Sequence, residues 1–405
     1  MNELLFLDSD DGELDGLKKK SFGWQIKINS SIEHARECLT TDHSVKVIVV
    51  SADLHGVDGV NFLAHVKETY PDIIRFIALA ETDSKLFMSA SAVSHQCLSK
   101  PYDEHEIKVL MLRALSLRQR LDGCTLRDRL HDIGGLPSLP TLYKKITDEM
   151  YSSDPSLAKV SEFIEKDLSL SAKVLQVVNS AGIGLGSQVT LVSQAVTLLG
   201  MERLSTMVLL AEVYSMVGDA KLPPGFSLEA LWQHSLQVSN FSKVIADEAV
   251  GDRQLTDASF TAGLLHDIGM VILAAHFATE LGSVLVLAKE DEISLWEAEK
   301  EIFGTTHAEI GGYLLELWGL PDPIVEAVTF HDLPSSVPEE AYPNMVPEHG
   351  FTPLAAVHIA NYFCEDERRA AYGCVEGELD SFFTERLGFT EKMNGWMEAC
   401  LDSAY

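Results

Sequence analysis

The sequence predicts an α/β domain followed by an all-α domain, on three observations. Up to about residue 120, short apolar runs alternate with amphipathic stretches, which is typical of βα repeats around a buried parallel sheet. From about residue 125 onward the period-2 alternation disappears and long helical patterns follow one another. The chain has 405 residues, of which 46% are hydrophobic, and this is enough for two or three compact domains.

The first domain is predicted to span residues 1–120 and to contain five strands, at residues 4–7, 24–28, 47–50, 75–79 and 96–99. Its last helix begins with a capping box formed by Asp103 and Glu106. Apolar residues then recur at alternating steps of three and four from Ile107 to Cys124. We expect this helix to pack first on the sheet, to continue as a linker over residues 121–131, and to offer a seam for a homodimer or a domain contact.

The second domain is predicted over residues 132–335. Its helical patterns are broken by proline and glycine, at Pro137, Pro140, Pro155, Gly182–Gly186, Pro223, Pro224, Pro321 and Pro334. A proline-rich stretch over residues 335–351 reads as a loop, and helical patterning resumes at Pro353. Residues 339–405 contain 13 acidic and 4 basic side chains but keep an apolar face. We therefore expect residues 336–405 to be an acidic helical extension that packs on or completes the second domain.

Charge limits the classes of partner. The chain has 61 acidic and 31 basic side chains and a formal net charge of −30, so we expect no direct binding to DNA or to anionic membranes, and a preference for basic protein partners. The six cysteines form no Cys-x-x-Cys pair. The first residues lack the pattern of a signal peptide, and no run of about 18 apolar residues is evident. We expect a cytoplasmic protein with reduced thiols.

Charged residues stand at the predicted strand ends of the first domain. Asp8 follows the first strand with Asp10 beyond it, an Asp-Gly turn at residues 58–59 follows the third, and Lys100 with Pro101 follows the fifth. This arrangement resembles the receiver domain of bacterial two-component response regulators, and the resemblance implies a flavodoxin-like fold. It also implies an Mg²⁺ site at the acidic residues, but the acidic pair of the family is here reduced to one member.

The receiver resemblance implies a phosphoacceptor aspartate seven residues before Asp58, where this chain has Ser51. A serine hydroxyl does not replace an ionised carboxylate as the nucleophile for acyl-phosphate formation. Ala80 stands where the family has a hydroxyl switch residue. Asp53, expected in the following loop, is the alternative acceptor. We therefore expect a pseudo-receiver with a degenerate site formed by Asp8, Asp10, Ser51, Asp53 and Lys100.

The second domain contains several motifs in one order. Leu136-Pro137-Ser138-Leu139-Pro140 is followed by Asn179-Ser180-Ala181 and later by Ala262–Gly269, which includes His266-Asp267. This order resembles the HDOD output domain of bacterial signalling proteins, a non-catalytic, HD-like all-α relative of HD phosphohydrolases and HD-GYP phosphodiesterases. We treat a second His-Asp pair, His131-Asp132, as accidental.

The resemblance implies a set of metal-ligand positions in this domain, which are His234, His266, Asp267, His307, His331 and Asn361. Imidazoles and carboxylates on separate helices hold a divalent ion that activates water in the catalytic relatives. Here Asn361 replaces the final aspartate, and Met270 replaces a lysine that those relatives carry. The residues leave two interpretations open: buried histidines that share hydrogen bonds with Asp267, or a residual divalent metal.

The sequence thus predicts a signal-transduction adaptor of the two-component type. A non-phosphorylatable receiver-like domain is coupled to an HDOD domain that binds other signalling proteins, with no catalytic residue and no cofactor other than that residual metal. The alternative is an enzyme, a metal-dependent HD-type phosphohydrolase or phosphodiesterase acting on a nucleotide or a cyclic dinucleotide.

Overall fold

The structure is a computed structural model that describes residues 3–8, 25–41, 44–54, 57–70, 73–80, 93–94, 96–100, 102, 137, 139–152, 154–178, 189–218, 220–336, 350–364, 370–372 and 379–403. The chain divides into two compact units. The first comprises Met1–Thr141 with Leu317–Gly319, and the second comprises Leu142–Glu316 with Leu320–Tyr405.

A parallel five-stranded sheet forms the centre of the first unit. Its strands, in chain order, are β1 (Glu3–Leu7), β2 (Gln25–Asn29), β3 (Val45–Ser51), β6 (Ile74–Ala80) and β7 (Gln96–Lys100). The short strands β4 and β5, described below, form a separate two-stranded sheet. They lie side by side in the order β2-β1-β3-β6-β7. All five predicted strands are confirmed to within two residues at each end. The inner strands β1, β3 and β6 are largely apolar, as a parallel sheet covered on both faces requires, whereas the edge strands β2 and β7 are mixed.

Two helices of the first unit are α1 (Ile32–Thr41) and α2 (Gly59–Thr69). The sheet core is apolar: Ile48 and Val50 in β3 are fully buried, as is Leu63 in α2. Helix α2 begins at Gly59, where a Cβ atom would overlap the carbonyl oxygen of Ser51. Only glycine allows the helix to start this close to the end of β3.

Between β3 and α2 the structure differs from the sequence expectation. Asp53 was expected in a loop, but β4 (Asp53–Leu54) pairs antiparallel with β5 (Val57–Asp58), and Asp53 lies opposite Asp58. Two residues separate these short strands, the length that allows a tight hairpin turn. The loop expectation was wrong because a two-residue ladder leaves no periodicity to detect.

Several sequence expectations fall outside the described residues. These are the capping box at Asp103 and Glu106, the linker helix over residues 121–131, the His131-Asp132 pair, Asn179-Ser180, Gly182–Gly186 and the site residue Asp10.

The second unit is helical throughout its described part. Its helices are α3 (Thr141–Met150), α4 (Leu157–Glu165), α5 (Leu168–Val178), α6 (Val192–Leu199), α7 (Met201–Ser215), α8 (Leu228–Ala249), α9 (Arg253–Leu265), α10 (Ile268–His276), α11 (Ala278–Glu290), α12 (Leu295–Phe303), α13 (His307–Leu317), α14 (Asp322–Phe330), α15 (Pro353–Phe363), α16 (Ser381–Arg386) and α17 (Met393–Ser403).

Side-chain caps define where the principal helices begin. Ser227 caps α8, Asp252 caps α9 and Thr352 caps α15, each by accepting a backbone N–H bond. Ser294 and Glu297 form a capping box at the start of α12. Helices α9 and α15 pack against α8 and against each other, while α14 packs against both α9 and α15. This group forms the core around the candidate site.

One helical stretch of the second unit, Arg253–His276, combines α9 and α10 and has the length and composition of a membrane span, with a mean hydropathy of 1.5 over an 18-residue window. This corrects the expectation that no such stretch exists. In the structure 89% of that window is buried inside the protein, as expected for the central helices of a core.

Candidate metal centre in the helical unit

Five of the six candidate ligands converge at the centre of the second unit. His234 lies in α8, His266 and Asp267 lie at the junction of α9 and α10, His307 begins α13, and His331 ends α14. The exposed fraction of each of these residues is between 0 and 3%. Two groups of three, which share Asp267, have ligand atoms within 4.8 Å of one another.

Glycines make this convergence sterically feasible. Gly269 follows the His-Asp pair in α10, and a Cβ atom there would overlap the carbonyl oxygen of His307. A Cβ atom on Gly312 would likewise overlap the hydroxyl of Thr329. Helix α13 therefore lies against the backbone of α10 and the side chains of α14, and this contact brings His307 to Asp267.

The first half of the cluster is built on one oxygen of the shared carboxylate. His234 Nε2 lies 3.6 Å and His266 Nε2 lies 3.2 Å from Asp267 Oδ2. The two Nε2 atoms are 3.2 Å apart. The hydroxyl of Tyr372 donates a hydrogen bond to the same Oδ2.

The second half is built on the other oxygen. His307 Nε2 lies 3.1 Å and His331 Nε2 lies 3.6 Å from Asp267 Oδ1, and the two nitrogens are 3.4 Å apart. The carboxylate of Asp332 completes this side, with oxygens 3.4 Å from His307 Nε2 and 3.6 Å from His331 Nε2.

Hydrogen bonds on the outer ring nitrogens determine which nitrogen of each imidazole carries the proton. His266 Nδ1 lies 2.7 Å from the carbonyl oxygen of Gly263, and His331 Nδ1 lies 2.8 Å from that of Val328. A carbonyl oxygen only accepts, so both Nδ1 atoms carry hydrogen, and the Nε2 atom of each ring faces the Asp267 carboxylate. Backbone and carboxylate partners of this kind are what orients histidines that bind metals.

His307 is oriented by a carboxylate instead. Glu299 in α12, fully buried, accepts bonds from His307 Nδ1 at 2.8 Å and from the His307 backbone N–H at 2.9 Å. The Glu299 side chain therefore holds both the rotamer of the ring and the position of its backbone at the start of α13.

The electrostatic field of the cluster attracts cations. Burial alone lowers the pKa of the His307 imidazole, but Glu299, Asp332 and Asp267 outweigh it and hold this pKa well above its usual value. Burial raises the pKa of the Asp267 carboxyl, but His266 and the other imidazoles outweigh it and hold that pKa well below its usual value. The carboxylates thus favour a positive charge between them and the rings, either a proton or a metal ion.

The spacing of the donor atoms fits a small divalent ion. Metal–ligand bonds of about 2.0–2.1 Å place two ligands of a tetrahedral ion about 3.3 Å apart. The donor-to-donor distances are 3.2–3.6 Å in the first half and 3.1–3.6 Å in the second. Imidazole nitrogens with carboxylate oxygens are the donors that zinc, manganese and iron accept.

Comparison with known families and structures bears on the identity of this unit. Residues 136–334 match the model of the HDOD domain. This stretch is an HDOD domain. The resemblance drawn from the motifs is thereby confirmed for the helical half of the chain.

Three similar proteins illustrate how far the likeness extends. An HDOD domain protein with unknown function from Geobacter sulfurreducens has a TM-score of 0.50 at 24% identity, covering 73% of this chain and 90% of that one, and this likeness shows the fold alone. A signal receiver domain of an HD domain-containing protein from Pseudomonas fluorescens Pf-5 matches 28% of this chain and 94% of its own length, at 25% identity and a TM-score of 0.27. An uncharacterized protein of Treponema pallidum (strain Nichols) is 28% identical over 222 residues, 55% of this chain. The match spans 42% of the length of this curated relative.

Two residues near the ligands, Glu299 and Tyr372, were not anticipated from the sequence. Glu299 could have been found, because it falls on the apolar stripe of α12 with Leu295 and Phe303, where an acidic residue needs a buried partner. Tyr372 gave no signal, since it lies 105 residues beyond Asp267, to which it bonds. Asp332 directly follows His331, and this His-Asp pair matches further ligand positions of the HD-GYP group, although the candidate set above contains only its histidine.

Two positions at which this chain departs from the pattern of the catalytic relatives are both buried. Asn361 lies in α15, which packs against α8 and α9, and it is 4% exposed. Within the described part of the chain its amide oxygen has no hydrogen-bond partner, so an electropositive group is missing from its surroundings. Met270, in the place of the lysine, is fully buried and supplies no cation for a phosphate.

The receiver-like site of the first unit is held by an internal ion pair. Asp8 is fully buried, its carboxylate lies 2.6 Å from Lys100 Nζ, and it accepts a hydrogen bond from the Tyr102 hydroxyl. Ser51, at the end of β3, is 2% exposed. The backbone of Asp53 follows in β4, and Asp10 lies outside the described residues. Lysine and tyrosine thus already occupy the carboxylate that an Mg²⁺ ion would use.

Proposed function

We propose that this chain is a signal-transduction adaptor. In this proposal, a receiver-like unit that does not accept a phosphoryl group is coupled to an HDOD domain. The HDOD domain binds other signalling proteins. It retains a divalent metal but does not hydrolyse phosphodiesters. The parts are residues 1–120, a linker helix over 121–131, the HDOD domain over 132–335, and a helical extension over 336–405.

The strand order supports the receiver-like part of the proposal. In order along the chain, the five strands of the sheet lie 2-1-3-4-5, which is the order of flavodoxin-like doubly wound sheets. In such sheets the functional site lies at the carboxyl ends of the strands. There the chain has the Asp8–Lys100 ion pair and Ser51, a set without the carboxylate nucleophile that phosphorylation requires.

The donor set supports a metal in the HDOD domain. The side chains that would hold this metal are His234, His266, Asp267, His307, His331 and Asp332. When bound, such an ion supplies Lewis acidity and makes a coordinated water acidic near neutral pH. The chain itself orients the imidazoles through Gly263, Val328 and Glu299.

Burial is the observation that carries the non-catalytic part of the proposal. The side chains of the cluster are between 0 and 7% exposed, whereas a hydrolase must admit a phosphodiester to its ligands. Met270 gives a buried thioether where a phosphate would need a cation. We infer that the ion stabilises the packing of the helices that carry its ligands and couples the domain to protein partners.

The rival function is hydrolysis. The same two sets of nitrogen and oxygen donors that meet on Asp267 favour it, since a pair of sites sharing a carboxylate suits two-metal hydrolysis of a phosphodiester. Its substrate would be a nucleotide or a cyclic dinucleotide.

Metal analysis with an activity assay separates the two functions. The full-length protein, purified without chelator, is analysed for manganese, iron and zinc and incubated with bis(p-nitrophenyl) phosphate and with cyclic dinucleotides. We expect retained metal, lost on His266→Ala, and no turnover. Turnover that depends on metal and disappears in His266→Ala would establish the enzyme, and complete absence of metal after loading would remove the metal centre from the proposal.

Partner binding is tested with the same full-length chain. We propose basic signalling proteins rather than DNA as partners, given the net charge of −30, and a homodimer through the linker helix. Sedimentation measures the oligomeric state, and a pull-down repeated at high salt measures whether the captured proteins bind through charge. Salt-insensitive capture of acidic proteins, or tight binding to duplex DNA, would contradict this part.

A further inference from the structure

Part of the C-terminal extension closes on the first half of the histidine cluster. Residues 370–372, two alanines and a tyrosine that we call the tyrosine latch, lie beyond the stretch that matches the HDOD model. The hydroxyl of Tyr372 donates a hydrogen bond to Asp267 Oδ2, and Tyr372 is 2% exposed. A segment from outside the matched stretch thus contacts the carboxylate that both halves of the cluster share.

The latch fills a site with aromatic walls and an anionic end. The ring of Tyr372 lies against those of Phe226 and His234, with centroid distances of 6.1 and 6.4 Å. The carbonyl oxygen of the residue before Tyr372 accepts a 3.0 Å bond from the backbone N–H of Ser227, the cap of α8. Such a site suits a flat apolar group with a hydrogen-bond donor at its tip, whereas a phosphate would meet the charge of Asp267.

The extension is anchored a second time, at Asp380. Its backbone N–H donates to His358 Nε2 at 2.9 Å, and His358 Nδ1 donates to the carbonyl oxygen of His331 at 2.7 Å. The Asp380 carboxylate accepts bonds from the backbone N–H groups of Ser335 and Phe383, at 2.8 and 3.0 Å. This second attachment is a network that joins Asp380 to the end of α14, to α15 and to α16.

The two attachments differ in what sustains them. Residues 365–369 are all charged, residues 370 and 371 are alanines and residue 373 is glycine, so Tyr372 is the one large apolar side chain of this stretch. A stretch with little apolar surface to bury opens locally, at a lower free energy than the unfolding of its whole domain. Asp380, in contrast, is bonded to several helix ends. We therefore expect the latch to open before the anchor does.

Opening of the latch has a defined consequence for the cluster. His234 is fully buried and Asp267 is 3% exposed with the latch in place. Removing the phenol takes one hydrogen-bond donor from Asp267 Oδ2 and uncovers the His234 ring. Water and small solutes then replace that donor at a carboxylate that is otherwise closed to them.

We propose that the tyrosine latch is an autoinhibitory element, in which Tyr372 acts as an internal ligand that closes the first half of the cluster. Local opening releases it while the anchor at Asp380 stays in place. The proposal goes beyond the adaptor function and does not depend on a bound metal, because closure involves only side chains of this chain. A partner segment that presents a tyrosine would compete with Tyr372 for the same site.

Hydrogen exchange in the full-length protein measures the two attachments separately. The Ser227 amide reports on the latch, since it donates to the residue before Tyr372, and the Asp380 amide reports on the anchor. After correction for intrinsic rates, we expect Ser227 to exchange at least roughly 10-fold faster than Asp380 in the unaltered protein.

Two variants of Tyr372 separate the hydroxyl from the ring. Tyr372→Phe removes only the hydroxyl and should accelerate the exchange of Ser227 by roughly 10-fold. Tyr372→Ala should accelerate it by roughly 100-fold or more. The exchange of Asp380 should stay unchanged in both variants. The control Tyr362→Phe, at a side chain that is 38% exposed, should change neither amide.

Chemical rescue tests whether the site recognises a phenol. p-Cresol supplies the ring and the hydroxyl that Tyr372→Ala lacks, whereas toluene supplies the ring alone. Deuterium exchange of the carbon-bound ring hydrogen of His234 measures access to the cluster and should be faster in this variant. We expect p-cresol to restore the slow exchange of His234 at a concentration at least roughly 10-fold lower than toluene requires.

Three results would overturn the proposal. Equal acceleration of Ser227 and Asp380 in Tyr372→Phe would make Tyr372 an ordinary core residue that stabilises the whole domain. Unchanged exchange of Ser227 in the variants would show that Tyr372 does not hold the latch, and equal rescue by toluene and p-cresol would remove recognition of the hydroxyl. If Tyr372→Ala does not fold, Tyr372→Phe alone decides. None of these outcomes depends on metal content, so failure of the metal centre is distinguished from failure of the latch.

Discussion

Replacing Glu299 with glutamine removes the group that orients His307 while changing the side-chain volume very little. The carboxylate accepts bonds from His307 Nδ1 at 2.8 Å and from the His307 backbone N–H at 2.9 Å. Both bonds end on Oε2, and Oε1 lies 3.0 Å from the same Nδ1. A glutamine has one accepting oxygen, so even when that oxygen takes the Oε2 position its NH₂ group faces the His307 Nδ1 proton. One charge-assisted bond is lost, and a buried donor meets another donor.

The magnitude follows from these contacts. Losing one charge-assisted hydrogen bond in a fully buried position costs about 2 kcal/mol, which for a unit of this size lowers the melting temperature by roughly 4–8 °C. Loss of a partner that orients a metal ligand typically weakens metal affinity by roughly 10–100-fold. Both effects are expected in Glu299→Gln.

Thermal unfolding with and without Mn²⁺ measures both quantities in one series. The matched control is Glu301→Gln, the same change of charge at an exposed position of α12, for which we expect a change within about 0.5 kcal/mol. If Glu299→Gln melts and binds Mn²⁺ like Glu301→Gln, the orientation of His307 does not depend on this carboxylate, and the argument from hydrogen-bonded tautomers fails.

Three further predictions concern packing, pH and the first unit. Gly269→Ala should lower the unfolding free energy by about 3 kcal/mol or more and abolish metal binding, because its Cβ overlaps the backbone of α13. The control is Gly395→Ala, in a helix with open space around it. Chemical denaturation should show this control to be neutral or stabilising by up to about 1 kcal/mol. Burial, and next the neighbouring Asp322, raise the pKa of Glu326 from 4.5 to about 7. The folded state thus holds this proton more tightly than the unfolded state, so the contribution of Glu326 to stability is greatest below pH 4.5 and falls by about 1–3 kcal/mol as pH rises to 7. Glu326→Gln should remove this part of the pH dependence of the unfolding free energy, measured by denaturation at pH 5 and pH 8. Lys100→Met leaves the buried Asp8 carboxylate without its lysine and should destabilise the first unit by about 3 kcal/mol. Adding Asp8→Asn should recover most of this stability. Hydrogen exchange of the sheet amides measures both changes.

Local patterns were sufficient for the elements and for most of the ligands. A parallel sheet covered on both faces requires largely apolar inner strands, so these were visible as runs such as Val47–Val50. His234, His266, Asp267, His307 and His331 were found because they stand in motifs whose order resembles that of a known domain, and the structure brings all five together. The short hairpin at Asp53 was missed because two paired residues have no period.

The sequence by itself determined which side chains are available and on which helices they lie, since side-chain periodicity and capping are local properties. Only the tertiary structure decided that Asp332 and Tyr372 contact opposite halves of one cluster. It also decided that Glu299 turns toward His307, and that Lys100 and Tyr102 rather than a metal neutralise Asp8. These contacts depend on the angles at which helices and strands cross. The crossing angles are set by the packing of whole faces, such as the approach of α13 to Gly269, and no short window of the sequence contains both faces.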